Sequence, residues 1–160
     1  MKLKDCMLSD PAEMRRIDGL VMPPLIGLVS GELIADRSRA VMGAARTSGL
    51  VTDAWISMNG CGRDDSNPLS GEVDIKINGT SIFDTKPCIR SNHGEAAAHK
   101  TTKISGDTEI TQGDISVTAR EFAAGDVFTF DLDVTRSATP TTEMNNLVVV
   151  VELEPLKPIR

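Results

Sequence analysis

Few residues in this chain have the right chemistry for catalysis or metal binding, and their spacing suits neither. His93 and His99 are the only imidazoles, six positions apart in one stretch of small and polar residues. A metal centre built on strands needs several His and carboxylate ligands converging from different elements, so both read as solvated loop histidines. Asp64 and Asp65 with Asn67, and the row Asp74, Asp131 and Asp133, are the residue types of a calcium loop or a glycosidase pair. The row alternates with apolar residues, which marks the outer face of half-buried strands, where charge also discourages edge-to-edge aggregation. Cys6, Cys61 and Cys88 are odd in number and widely spaced, with no Cys-x-x-Cys. They predict thiols in a reducing compartment rather than zinc ligands, with a Cys61–Cys88 bridge left open. Asn78-Gly79-Thr80 fits a glycosylation sequon, but a hairpin turn explains it. No Gly-x-Ser-x-Gly, phosphate loop or dinucleotide fingerprint occurs. The expectation is a protein that is not an enzyme and holds no metal and no cofactor. Trp55 is the single Trp and there is no Tyr, so it is the one candidate platform for stacking a glycan.

The elements available to position these residues are strands. From Gly71, Val73, Ile75 and Ile77 alternate with Glu72, Asp74 and Lys76, then Asn78-Gly79 and Thr80-Ser81-Ile82-Phe83 follow. Strict alternation predicts one buried face, and Asn-Gly tolerates the positive φ angles of a tight hairpin. Ala123 to Val134 repeats the pattern: Phe128, Phe130, Leu132 and Val134 face one way, Thr129, Asp131 and Asp133 the other. Leu50 to Met58 predicts a strand with Leu50, Thr52, Ala54, Ile56 and Met58 on one face and Trp55 on the other. Leu25 to Ile34 is a broken strand or a strand pair with glycine breaks, and Ala40 to Arg46 is small, apolar and extended. Asn59 to Ser70 and Thr85 to Gly106 read as loops, the second with a short helical turn. Glu109 to Ala119 reads as a weakly bounded strand. In the last strand, Asn146 to Leu153, core positions are Leu147, Val149, Val151 and Leu153. Val148 and Val150 then face outward and want cover, making them candidate oligomer-interface residues.

The first residues differ. Asp10-Pro11-Ala12-Glu13 carries an N-cap, a first-turn proline and a capping-box Glu, and Gly19 ends the turn. So short a helix needs a docking partner to be stable. Pro23-Pro24 forms a stiff joint. The pattern predicts an all-β fold, an antiparallel β-sandwich of jelly-roll or Greek-key order, with an extended N-terminal arm carrying a short helix. The arm spans residues 1–24 and the sandwich residues 25–160.

Composition narrows the partners. Net charge is −6, which argues against nucleic acid, since phosphate neutralisation needs clustered Lys and Arg. Arg37, Arg39 and Arg46 come nearest to a basic patch and read as solvated or interface charges. No apolar run approaches the ~20 residues of a membrane span, and no signal-peptide core follows Met1, so cytosolic synthesis without a membrane is expected.

Two segments, Asp74–Phe83 (DIKINGTSIF) and Ala123–Val134 (AAGDVFTFDLDV), carry a resemblance. Together with Thr85-Lys86-Pro87 and the Val-rich last strand, the chain from about Leu50 to Pro155 resembles the jelly-roll virion proteins of tailed bacteriophages. These are head decoration or cement proteins, head fibres and some tail-associated modules. The resemblance implies a structural protein, often a homotrimer, made in the host cytoplasm and carried on the capsid surface of the virion. It implies that the protein cements the capsid by bridging major capsid protein subunits, residues 1–48 making shell and inter-subunit contacts. Met14, Ile17, Val21, Met22, Pro23, Pro24 and Leu25, followed by Ile26, are then the apolar anchors of the arm. The same family implies an alternative, a receptor- or glycan-binding module of a head or tail fibre, with contacts at Trp55 or the Thr85–Gly106 loop.

Overall fold

The computed structural model describes residues 22–91, 98–106 and 109–156. The helix expected near Asp10, together with Met14, Ile17 and Val21, lies outside them. The described residues hold no helix and form β1 (Leu25–Glu32), β2 (Arg37–Ala44), β3 (Gly49–Arg63), β4 (Leu69–Ile77), β5 (Thr80–Ser81), β6 (Phe83–Thr85) and β7 (Cys88–Ser91). Six more follow: β8 (Lys100–Thr101), β9 (Ile110–Thr111), β10 (Asp114–Ile115), β11 (Glu121–Phe122), β12 (Val127–Thr135) and β13 (Thr142–Pro155). All pairings are antiparallel. One sheet runs β1-β13-β3-β11, with β8 also on β3; the other runs β2-β12-β4-β7-β9, with β5 also on β4. A small β10-β6 ribbon completes the set.

The two sheets share one core, consistent with a β-sandwich. Val29, Ala54, Ile56, Met58, Leu147, Val149 and Val151 come from the first sheet, and Leu69, Val73, Ile75, Ile89, Phe128, Phe130 and Leu132 from the second. The alternation of β4 and β12 is what the pleat dictates: every second side chain is removed from water and the rest remain at the surface. The sheets touch where glycine leaves room. A Cβ on Gly27 of β1 would lie 2.6 Å from the Phe130 ring, and one on Gly71 of β4 would lie 2.4 Å from the Met58 methyl.

Several sequence expectations need correction. In β3, Glu152 pairs with Asp53 but Leu153 pairs with Val51, so Thr52 is an extra residue on that strand. The bulge reverses the alternation: Val51 is buried, Leu50 is half-buried and Thr52 is exposed. Leu153, beside the bulge, is half-buried rather than a full core residue. The loop expected over Asn59–Ser70 shrinks to residues 64–68, because β3 and β4 continue into it. Thr85–Gly106 contains β7, which hydrogen-bonds along β4 from Leu69↔Ser91 to Glu72↔Cys88. The helical turn near Ala96 falls largely outside the described residues. Glu109–Ala119 is two short strands in different sheets, β9 on β7 and β10 on β6. Asn78 and Gly79 have φ of 49° and 89°, the paired positive angles of a two-residue hairpin.

Two glycines differ in what replaces them. Gly79 faces open space, so Gly79→Ala meets only the backbone penalty and lowers unfolding free energy by about 1 kcal/mol. Gly62 has φ 73°, and a Cβ there would lie 2.8 Å from both the Met144 nitrogen and the Thr142 carbonyl oxygen. Gly62→Ala therefore costs about 3 kcal/mol or more. Urea midpoints at constant m-value check the order; equal losses refute it.

Candidate functional site

The outer face of the first sheet is apolar at its centre. Register places Ile26, Val150 and Trp55 in one cross-strand row and Leu28, Val148 and Ser57 in the next. Gly27, Val29, Leu147, Val149, Ala54 and Ile56 occupy the alternate, buried positions, so the two rows point outward. Ile26 is 53% exposed and Leu28 67%, while Val148, Val150 and Trp55 are half-buried. Polar groups rim the patch. Ser57 Oγ donates to Thr101 Oγ1 at 2.8 Å. The Lys103 ammonium lies 3.8 Å from the centroid of the Trp55 ring. It also donates to Asp53 at 2.5 Å and stands 3.6 Å from Glu152. The Asp53 hydrogen bond, against a smaller desolvation, raises the Lys103 pKa. One face of the indole is thus taken by a cation held between two carboxylates.

The outer face of the second sheet is ionic. Asp131 and Asp74 are cross-strand partners, an unfavourable like-charge pair that Lys76 offsets. Its ammonium donates to Asp131 at 2.5 Å and lies 3.8 Å from Asp74. Asp74 also accepts from Ser81 Oγ at 2.5 Å, and Lys86 stands 3.5 Å away. Asp131 accepts from the Arg39 backbone nitrogen at 2.6 Å. That bond first, then Lys76, holds the Asp131 carboxyl below the usual carboxylate range. Asp126 is lowered likewise, by the Ala123 backbone nitrogen and then the Asn78 amide.

The other candidate groups have structural partners. Asp64 is buried and accepts from the Ser66 and Asn67 nitrogens at 2.8 and 3.2 Å, closing the β3–β4 turn. Asp65 pairs with Arg63 at 2.9 Å. The Asn78 amide is committed at both ends, donating to Asp126 at 2.8 Å and accepting from the Val127 nitrogen at 3.0 Å. Cys61 and Cys88 are buried thiols with no disulfide between them, and burial pushes the Cys88 thiol up. His99 is exposed and His93 lies outside the described residues. Among the described residues no group of three or more His, Cys, Asp or Glu is placed to hold a metal ion.

The expected interface residues separate into distinct places. Val148 and Val150 sit on the apolar face. Arg37 and Arg39 lie on β2 at the edge of the opposite sheet, and Arg46 is exposed in the bend beyond it. Pro23 and Pro24 are exposed, but Met22 and Leu25 pack against the core. Of residues 1–48, those from Leu25 to Ala44 are largely built into the two sheets as β1 and β2. Sequence reasoning took Ile26 only as an apolar anchor of the arm and missed its place on the apolar face, together with the parts played by Leu28 and Lys103. The alternation Leu25, Gly27, Val29 against Ile26, Leu28 was a usable signal for the first two, obscured by counting the glycines as breaks. No family model matches the sequence, and no curated protein matches it significantly.

Because Asp131 and Asp126 titrate lower in the folded chain than in the unfolded one, their contribution is present above the ordinary carboxylate pKa of about 4 and is lost below it. Stability against urea is expected to fall as pH drops from about 4.5 to 2.5. Asp131→Asn should be less stable at neutral pH and flatter across that window; an unchanged slope would remove Asp131 from the account.

Proposed function

We propose that this chain is a structural protein of a tailed-phage virion that cements the capsid by adhesion and performs no catalysis. The observation that carries the reading is the outward apolar face of Ile26, Leu28, Val148, Val150 and Trp55. Covering half-exposed Leu and Ile side chains returns on the order of 1–2 kcal/mol each before ordering costs, so the face gains by being buried against another surface.

The strand order supports the finer fold assignment. Taking β1, β2, β3, β4, β7, β11, β12 and β13 as first to eighth, the sheets run first-eighth-third-sixth and second-seventh-fourth-fifth. That order supports reading the fold as a jelly roll, the architecture the sequence resemblance implies. In this reading the apolar face joins copies of the chain into a homotrimer, and residues 1–24 reach major capsid protein subunits. Added contact area across shell joints raises the cost of opening them under internal pressure. Three arms per trimer add avidity without a new kind of contact. The glycan-binding alternative has less support, because a sugar stacking on Trp55 has to displace Lys103 or use the other ring face.

Sedimentation tests the self-association. The expected mass is three times the 17.1 kDa of one chain. Leu28→Glu and Val150→Glu should each give monomers with near-native urea midpoints, and a monomeric wild type overturns the trimer. Removing residues 1–22 should leave the oligomer intact but cut capsid occupancy at least about tenfold, the loss of ~1.4 kcal/mol or more of binding. Undiminished occupancy removes the arm.

A further inference from the structure

A concavity of about 400 Å³ opens on the ionic sheet, lined by Arg39, Lys76, Asn78, Gly79, Val127 and Thr129. Its cations differ in their commitments. Lys76 is bound to Asp131 and lies near Asp74. Arg39 is exposed, and no carboxylate among the described residues lies within ion-pair distance of its guanidinium. This occurs in a chain of net charge −6, on a sheet face where carboxylates are plentiful. The one nearest by connectivity, Asp131, binds the Arg39 backbone nitrogen instead. That bond holds Arg39 at φ 56°, a left-handed conformation costing about 1 kcal/mol or more for a residue with a Cβ. The backbone of Arg39 is therefore fixed by Asp131 while its planar fork of donors is left open beside the cavity.

We propose that this cavity receives a carboxylate, held by the Arg39 guanidinium. The chemistry favours that group over a phosphate. The two cations of the lining are matched in charge by Asp131 and Asp74, so no surplus is left for a dianion, and the pull on a monoanion comes from the open guanidinium fork. A guanidinium meets a carboxylate with two parallel hydrogen bonds. Val127, 40% exposed, and Thr129 supply a partly apolar lining for the methylenes that carry the acid. The carboxylate has two possible sources, an Asp or Glu side chain on a partner surface or a free small monocarboxylic acid. The site goes beyond the cementing role and does not depend on it.

The test follows ¹H–¹⁵N spectra of the full chain during titration with butyrate, with a capped Gly-Glu-Gly peptide, and with sodium chloride at matched ionic strength. Saturable shifts are expected at the Gly79 and Thr129 amides and the Arg39 Nε–H, with a Kd of about 1–20 mM. Arg39→Lys should weaken binding about tenfold by losing the fork, and Arg39→Gln should abolish it. Arg46→Gln, beyond the edge strand, should leave it unchanged. A peptide bound more tightly than butyrate assigns the site to an acidic partner residue, and equal affinity assigns it to the free acid. Shifts that do not saturate, that chloride reproduces, or that persist in Arg39→Gln overturn the proposal.

Discussion

The pairing of β3 with β13 is the constraint on which the rest of the molecule depends. These are the two longest strands, and their register holds from Thr142↔Arg63 at one end to Pro155↔Gly49 at the other. β13 also carries β1 on its far side, while β3 carries β8 and β11, so five strands are located by one ladder. The side-chain period of two then leaves no freedom. With Leu147, Val149 and Val151 turned into the core, Val148 and Val150 have to face out. The partners are separated by about 90 residues of chain, and long-range pairing of this kind closes late and slowly. The single bulge at Thr52 is tolerated because it lies near one end of the ladder.

The two outer faces solve the problem of surface in opposite ways. On the β2-β12-β4 side, acidic residues from neighbouring strands are placed together and bridged by Lys76 and Lys86, giving a face with its own internal partners. On the β1-β13-β3 side, the centre is aliphatic and the ion cluster of Lys103, Asp53 and Glu152 is confined to the rim. A solvated salt bridge contributes little to stability, but it shapes where a partner fits. The polar face resists casual contact, and the aliphatic one gains by contact. This asymmetry makes the adhesive reading a statement about one side of the molecule.

What was legible in the sequence was local. The alternation through Val73–Ile77 and Phe128–Leu132 and the Asn78-Gly79 turn each depend on a few adjacent residues, and each stands as the sequence predicts. What was not legible depends on a distant partner. Nothing near Thr52 announces a bulge; it follows from the register against Glu152. Cys88–Ser91 is too short to declare itself a strand and becomes one because β4 offers a free edge. The outward valines were visible at once, whereas Ile26 and Leu28 needed β1 to be seen as continuous through Gly27. The two arginines of β2 were visible as charges, but the role of Asp131 in bending the strand beneath Arg39 belongs to the fold alone.

Trp55 occupies an unusual place for a sole indole. It sits neither in the core nor free in water, but beside Val150 on the face that most wants cover, with an ammonium against its ring. With no tyrosine in the chain, its emission is spectrally uncontaminated. Any molecule that dries this surface or draws Lys103 aside alters the dielectric and field at the fluorophore. The chain therefore carries a native optical reporter at the position where association would be felt.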